Sequence, residues 1–94
     1  MQIKWLRTAL RNLDDEIAFI AVEDPQTAQR TASRILAAVA LLETQPGLGR
    51  PGRIPGTREL LVPDSRYLIP YRVNLQAVEI LRVFHTSRSL PQRW

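Results

Sequence analysis

Residues 45–56 carry Pro46, Gly47, Gly49, Pro51, Gly52, Pro55 and Gly56, seven breakers in twelve positions. Proline removes a backbone donor and glycine surrenders conformational order, so no regular element is expected there. The chain therefore divides into two halves joined by an irregular surface loop. With 94 residues there is material for one domain and not two. Neither half holds enough apolar sequence for a core of its own, so residues 1–94 are expected to fold as a single domain, with the loop inside it. Gly49-Arg50-Pro51-Gly52 is not a phosphate-binding loop, because it follows a helical pattern and lacks the lysine and hydroxyl of that motif.

The first half has helical periodicity after a short start. Residues 2–6 alternate polar side chains with Ile3 and Trp5 and read as a strand, with Trp5 in the core. Thr8 is the expected N-cap of the first helix. Leu10, Leu13, Ile17 and Ile20 then form one apolar stripe that ends near Val22. Asp24-Pro25 restarts a helix, since aspartate can cap it and proline at the first helical position loses no needed hydrogen bond. Ala28, Ala32, Ile35, Val39 and Leu42 form its stripe. A link this tight makes the two helices an antiparallel hairpin.

After the loop the period changes to two. Residues 57–62 and 67–73 read as strands around a turn at 63–66. Residues 78–85 form the longest strand after a second turn at 74–77. Hairpin pairing then sets Leu60 opposite Ile69, Val62 opposite Tyr67, Val73 opposite Val78, Arg72 opposite Glu79, Tyr71 opposite Ile80 and Ile69 opposite Arg82. One face collects Leu60, Val62, Tyr67, Ile69, Tyr71, Val73, Val78, Ile80 and Phe84, with Arg82 as an exception, and should pack on the helices. The other, expected to be open, collects Glu59, Leu61, Leu68, Pro70, Arg72, Glu79, Leu81, Val83 and His85. Pro70 cannot donate to a ladder, so a bulge or an unpaired position is expected beside it. The fold class is thus α+β: a short N-terminal strand and a helical hairpin on one face of a mainly antiparallel sheet of three to four strands. The place of the first strand in the sheet is open. Residues 90–94 read as a tail, in which Trp94 either covers the sheet or lies free and Arg93 either is solvated or contacts a partner.

Charge is unevenly spread. The net charge is +4, and Lys4 is the only lysine. Residues 50–94 hold eight arginines against Glu59, Asp64 and Glu79. Such a half suits an anionic partner, nucleic acid or an acidic protein segment, as well as a merely solvated face. No apolar run approaches the roughly 18 residues of a membrane span. The N-terminus runs straight into patterned sequence, so no signal peptide and a cytoplasmic location are expected. Without cysteine, and with His85 the single histidine, no metal or other cofactor is expected. A Ser–His–Asp arrangement would need Ser87 or Ser89 with Asp64, and no nucleophile-elbow sequence surrounds either serine.

The order strand, two helices, breaker loop and three strands, together with Gly56-Thr57-Arg58-Glu59-Leu60, Tyr67-Leu68-Ile69-Pro70-Tyr71-Arg72-Val73, Val78-Glu79-Ile80-Leu81-Arg82-Val83-Phe84-His85 and a trailing Arg88, resembles the RelE/ParE superfamily of toxins across nearly the whole chain. The YRV, short turn and VEI-x-RVFH combination is closer to the ParE-like branch. The start, Ala9-Leu10-Arg11-Asn12-Leu13-Asp14-Asp15, is also similar.

The resemblance implies the toxin of a type II toxin–antitoxin pair, and one scaffold serving two activities. ParE-like members poison DNA gyrase; RelE-like members cleave mRNA on the ribosome. The nuclease needs cations for a phosphate and a group that moves a proton. At the positions where RelE-like nucleases place basic residues, this chain has Glu59, Leu61 and Leu68. The expectation is therefore a ParE-like toxin acting by binding, with gyrase the implied target and plasmid stabilisation the implied role. Arg58, Arg72, His85 and Arg88 are its candidate target contacts. The alternative is a ribosome-dependent endonuclease using Arg72, Arg82 and His85. His85 is read first as a strand-end histidine bonded to backbone, because ParE-like members also carry it. The resemblance further implies a cognate antitoxin whose acidic, partly disordered segment folds on the toxin. Its expected landing site is the exposed apolar helix surface near Leu10, Phe19 and Val22, with Arg30 and Arg34.

Overall fold

The computed structural model describes residues 1–88. The tail at 90–94, with Arg93 and Trp94, and Ser89 lie outside the described residues. The elements are β1 (Gln2–Trp5), α1 (Arg7–Glu23), α2 (Pro25–Ala40), a 3-10 turn (Leu41–Glu43), β2 (Arg50–Pro51), β3 (Arg58–Leu61), β4 (Tyr67–Val73), β5 (Ala77–Ile80) and β6 (Phe84–His85). The sheet runs β1-β5-β4-β3-β2, with β6 also against β4. All pairings are antiparallel except β1 with β5, which is parallel. The expected α+β architecture stands, with six strands among the described residues in place of three or four.

The helices form where their signals lie, with one exception. Asp24 caps α2, its carboxylate accepting from the Thr27 N–H at 3.0 Å and the Thr27 hydroxyl at 2.6 Å. Thr8 does not cap α1. The chain passes directly from β1 into the helix: Leu6 donates to Ile80 O, its own carbonyl accepts from Leu10, and Leu6 is the N-cap without a side-chain bond. Because α1 starts at Arg7, Ala9 and Leu13 become its buried contacts, and Leu10 faces out. Among the partly buried side chains packed on the core are Ile3, Trp5, Ile17 and Ile20. Ala28, Ile35, Ala38 and Val39 are buried from α2.

The loop is less irregular than its composition suggests. Arg50 and Pro51 pair with Glu59 and Arg58, so β2 is a two-residue edge strand inside the breaker segment. The fully buried Tyr71 organises this segment, its hydroxyl accepting from Gly49 N–H at 2.8 Å and donating to Pro46 O at 2.8 Å. Arg58 adds a bond to Gly49 O at 2.7 Å. Gly49 is required there, since a Cβ would stand 2.7 Å from the Tyr71 ring and 2.8 Å from Glu59 O.

Both hairpins keep the expected register near their turns: Leu60 faces Ile69, Val73 faces Val78, Arg72 faces Glu79 and Tyr71 faces Ile80. The long strand is broken at 81–83, beside Pro70. Leu81 still donates to Pro70 O at 2.9 Å. Pro70 has no N–H to return, and the Arg82 guanidinium instead donates to Leu81 O at 2.6 Å. Pairing resumes one residue out of step, with Leu68 opposite Phe84 and Tyr67 opposite His85. This is a bulge, and the extra residue inverts the faces beyond it. Val83, expected on the open face, joins the core cluster, and its N–H is taken by Asn12 Oδ1 of α1 at 3.1 Å. Arg82 is displaced from its expected place opposite Ile69. Phe84 moves to the outer face and His85 to the helix side. The outer face is not open either, because Leu68, Pro70, Leu81 and Glu59 are buried.

Candidate functional site

The inversion at Pro70 places His85 at the start of β4, beside the helices. Its ring meets Tyr67 edge-on at 5.2 Å between centroids. Its Nδ1 accepts from the Ser87 N–H at 3.3 Å and lies 2.6 Å from the Ser87 hydroxyl. It is the expected strand-end histidine with a backbone bond. The Tyr67 hydroxyl donates to Glu16 Oε1 at 3.2 Å, and Arg88 meets Glu16 Oε2 at 2.5 Å. The Arg88 guanidinium also lies 5.8 Å from the Phe19 ring centre, within cation–π range.

Phe19, Tyr67, His85 and Arg88 form one wall of a groove of about 240 Å³ between α1, α2 and the β3–β4 turn. The opposite side brings Arg34, which donates to Asp64 O at 3.0 Å, and the exposed Arg66. Asp64 takes φ 55°, the left-handed region that aspartate tolerates better than most, and this turns its carbonyl toward α2. Phe19 and Val22 are exposed, and both line a second hollow of about 340 Å³ at the end of α1. Two sets of candidates from distant sequence thus meet: Phe19 and Arg34 from the antitoxin set, His85 and Arg88 from the target set.

The remaining candidates lie elsewhere. Leu10 is exposed near the start of α1. Arg30 donates to Thr27 Oγ1 at 3.0 Å on the outside of α2. Arg58 is engaged with the loop carbonyls. Arg72 bonds Glu79 at 2.6 Å on the outer sheet face, as the register predicts; exposed, such a pair contributes only tenths of a kcal/mol. Tyr67 and Arg66 are groove residues that sequence reasoning missed, and so is Glu16, which holds Tyr67 and Arg88 beside the groove. Glu16 and Arg88 are 72 positions apart, and no local spacing marks them as partners. Among the described residues no His, Cys, Asp or Glu group is placed to hold a metal ion.

Burial, and then the charge and hydrogen bond of Glu16, push the Tyr67 hydroxyl up to about 12, against an opposing pull from Arg88. A phenol raised in the folded state stabilises the fold fully below its unfolded value of 10.0, and that contribution is lost as pH climbs through about 12. Absorbance titration should therefore show a tyrosine ionising near pH 12 that Tyr67→Phe removes and Glu16→Gln lowers. An ionisation near pH 10 in the folded protein that Tyr67→Phe removes would contradict this electrostatic picture.

Among the described residues no helix is long and apolar enough to cross a membrane. Residues 3–90 match the family model described as the ParE toxin of the type II toxin–antitoxin system parDE. A curated protein of Sinorhizobium fredii, named "Putative toxin Y4kP", is 47% identical over 91 residues, covering 97% of this chain and 94% of its own. A chain of a chromosomal ParDE toxin–antitoxin system from P. aeruginosa superposes with a TM-score of 0.83 at 31% identity, covering 90% of this chain and 95% of that one. With a family match across nearly the full length and relatives above 30% identity in both sequence and structure, the chain belongs to the ParE toxin family of type II toxin–antitoxin systems.

Proposed function

We propose that this ParE-type toxin stops growth by binding its target, with gyrase as that target, and that a cognate antitoxin neutralises it through the α1–α2 groove. The observation that carries the binding reading is the position of the bulge. It sets Arg72 on the outer face and His85 on the helix side, so a phosphate held by Arg72 has no histidine beside it. A nuclease needs both groups within hydrogen-bond reach of one substrate. Glu59, Leu61 and Leu68, at the positions where a nuclease carries cations, add no replacement.

The groove supports the antitoxin part. Arg34, Arg66 and Arg88 surround an exposed phenylalanine, a pattern that suits an acidic segment with apolar anchors. Expression of the chain alone should arrest growth, and co-expression of the adjacent antitoxin gene should relieve it. Phe19→Asp combined with Arg34→Glu should stay toxic and lose that relief. Absence of any arrest by the folded protein would overturn the toxin reading, and full relief of the double variant would overturn the groove.

A further inference from the structure

The outer face of the sheet presents cations that take no part in the groove. Arg72 is 51% exposed and gives its Nε–H to Glu79, which is 16% exposed. Arg53 is 40% exposed and gives its Nε–H to Glu59 at 3.4 Å, while Arg50, 64% exposed, approaches the same carboxylate at 3.5 Å. Glu59 itself is 4% exposed. Register places all of this on one face: Glu79 lies between Arg72 of β4 and the exposed Lys4 of β1, and Arg50 faces Glu59, which faces Pro70.

Two consequences follow from the acids lying beneath and the bases above. An approaching partner meets guanidinium before it meets carboxylate. A bond at Nε also fixes the plane of the guanidinium and leaves the end-on fork, one N–H from each Nη, outside the bond to the acid in Arg53 and Arg72. That outward fork is the geometry that grips a phosphate by two parallel hydrogen bonds. Arg72 and Arg50 are two strands and two residues apart, on the order of 12 Å between Cα atoms. With phosphates spaced about 3.4 Å along the axis of each strand, one backbone can engage both. An acidic peptide would need an apolar anchor as well, and the floor between the cations, Leu68, Pro70 and Leu81, is already buried.

We infer that the outer sheet face, through Arg50, Arg53 and Arg72, is a binding surface for the phosphodiester backbone of nucleic acid, separate from the α1–α2 groove. Contacts of this kind carry no base information, so binding is independent of sequence and sensitive to salt. It goes beyond the proposed action on gyrase, because no topoisomerase takes part.

The test is fluorescence anisotropy of the full chain with labelled duplex DNA, single-stranded DNA and duplex RNA. About three neutralised phosphates imply a slope of log K against log salt of roughly −2 to −3, or a loss of roughly 20- to 40-fold between about 50 and 200 mM salt. The variant Arg53→Gln with Arg72→Gln should weaken binding at least about tenfold and reduce the slope by about 2. Glu59 then keeps Arg50 and the Arg53 backbone N–H, which bonds it at 3.1 Å, and circular dichroism checks that the fold persists. Arg53→Lys with Arg72→Lys keeps the charge without the fork and should fall between the two. Preference for DNA or for RNA identifies which backbone the face accepts. No binding at low salt, unchanged binding by the glutamine variant, or displacement of nucleic acid by an equal charge of polyglutamate would overturn the inference. None of these failures touches the gyrase reading.

Discussion

Replacing Tyr71 with alanine should destabilise the protein by about 4–6 kcal/mol, most of the stability available to a domain of this size. Emptying a fully buried aromatic site costs about 3–5 kcal/mol, and two hydrogen bonds are lost with the ring. The variant should be largely unfolded in a growing cell. Tyr71→Phe separates the two contributions. It keeps the ring and leaves the buried Gly49 N–H without its acceptor, so about 1–3 kcal/mol should go. The loss should be felt mainly in the loop and β2, because that hydroxyl bonds both Pro46 O and Gly49 N–H and its removal leaves the Arg58 bonds to the Gly47 and Gly49 carbonyls. Urea melts of the two variants provide the measurement. A phenylalanine variant as stable as the parent would mean that the loop is held by something other than Tyr71.

The second large effect is a contrast between mechanisms. If the toxin acts by binding, His85→Ala should leave growth arrest within a few-fold of the parent. If it were a nuclease with His85 as the proton-transfer group, the same change should cost about 10²–10⁴-fold in cleavage. His85 is a partner of Ser87 and Tyr67, so the variant needs a check on its melting temperature. His85→Gln provides a polar side chain there. Both variants retaining toxicity is the expected result. Loss of toxicity in both, with the fold intact, would return His85 to catalysis.

Much of the fold was legible in the sequence because it rests on short-range rules. The hairpin registers near the two turns follow from period-two alternation. Asp24-Pro25 carries its own cap. Phe19 and Val22 stand out as apolar residues with nothing local to cover them. What sequence reasoning missed depends on contacts between distant residues. Pro70 announces a bulge or an unpaired position, yet the alternation does not say whether an extra residue is inserted opposite it. That single uncertainty sends Val83 into the core and turns His85 to the opposite side of the sheet. β2 is hidden among breakers, since two residues paired to Glu59 and Arg58 leave no periodicity of their own. The parallel pairing of β1 with β5 has no local marker. Glu16, which looks like one of several solvated acids on α1, becomes the joint acceptor for Tyr67 and Arg88 only once β4 and β6 are in place. The candidate site was therefore visible as separate residues and not as a groove.

The bulge also bears on how one scaffold can support different activities. Arg72, Arg82 and His85 are close in sequence and read together as a nuclease set. A one-residue shift in pairing sets Arg72 and His85 on opposite sides of the sheet, and Asn12 takes the Val83 N–H.

Supercoiling by purified gyrase, followed as this protein is titrated in and run beside a purified translation reaction, tests the central claim most directly. Loss of supercoiling with the message left intact is the expected result. Message cut at the ribosomal A site while gyrase works normally would contradict it.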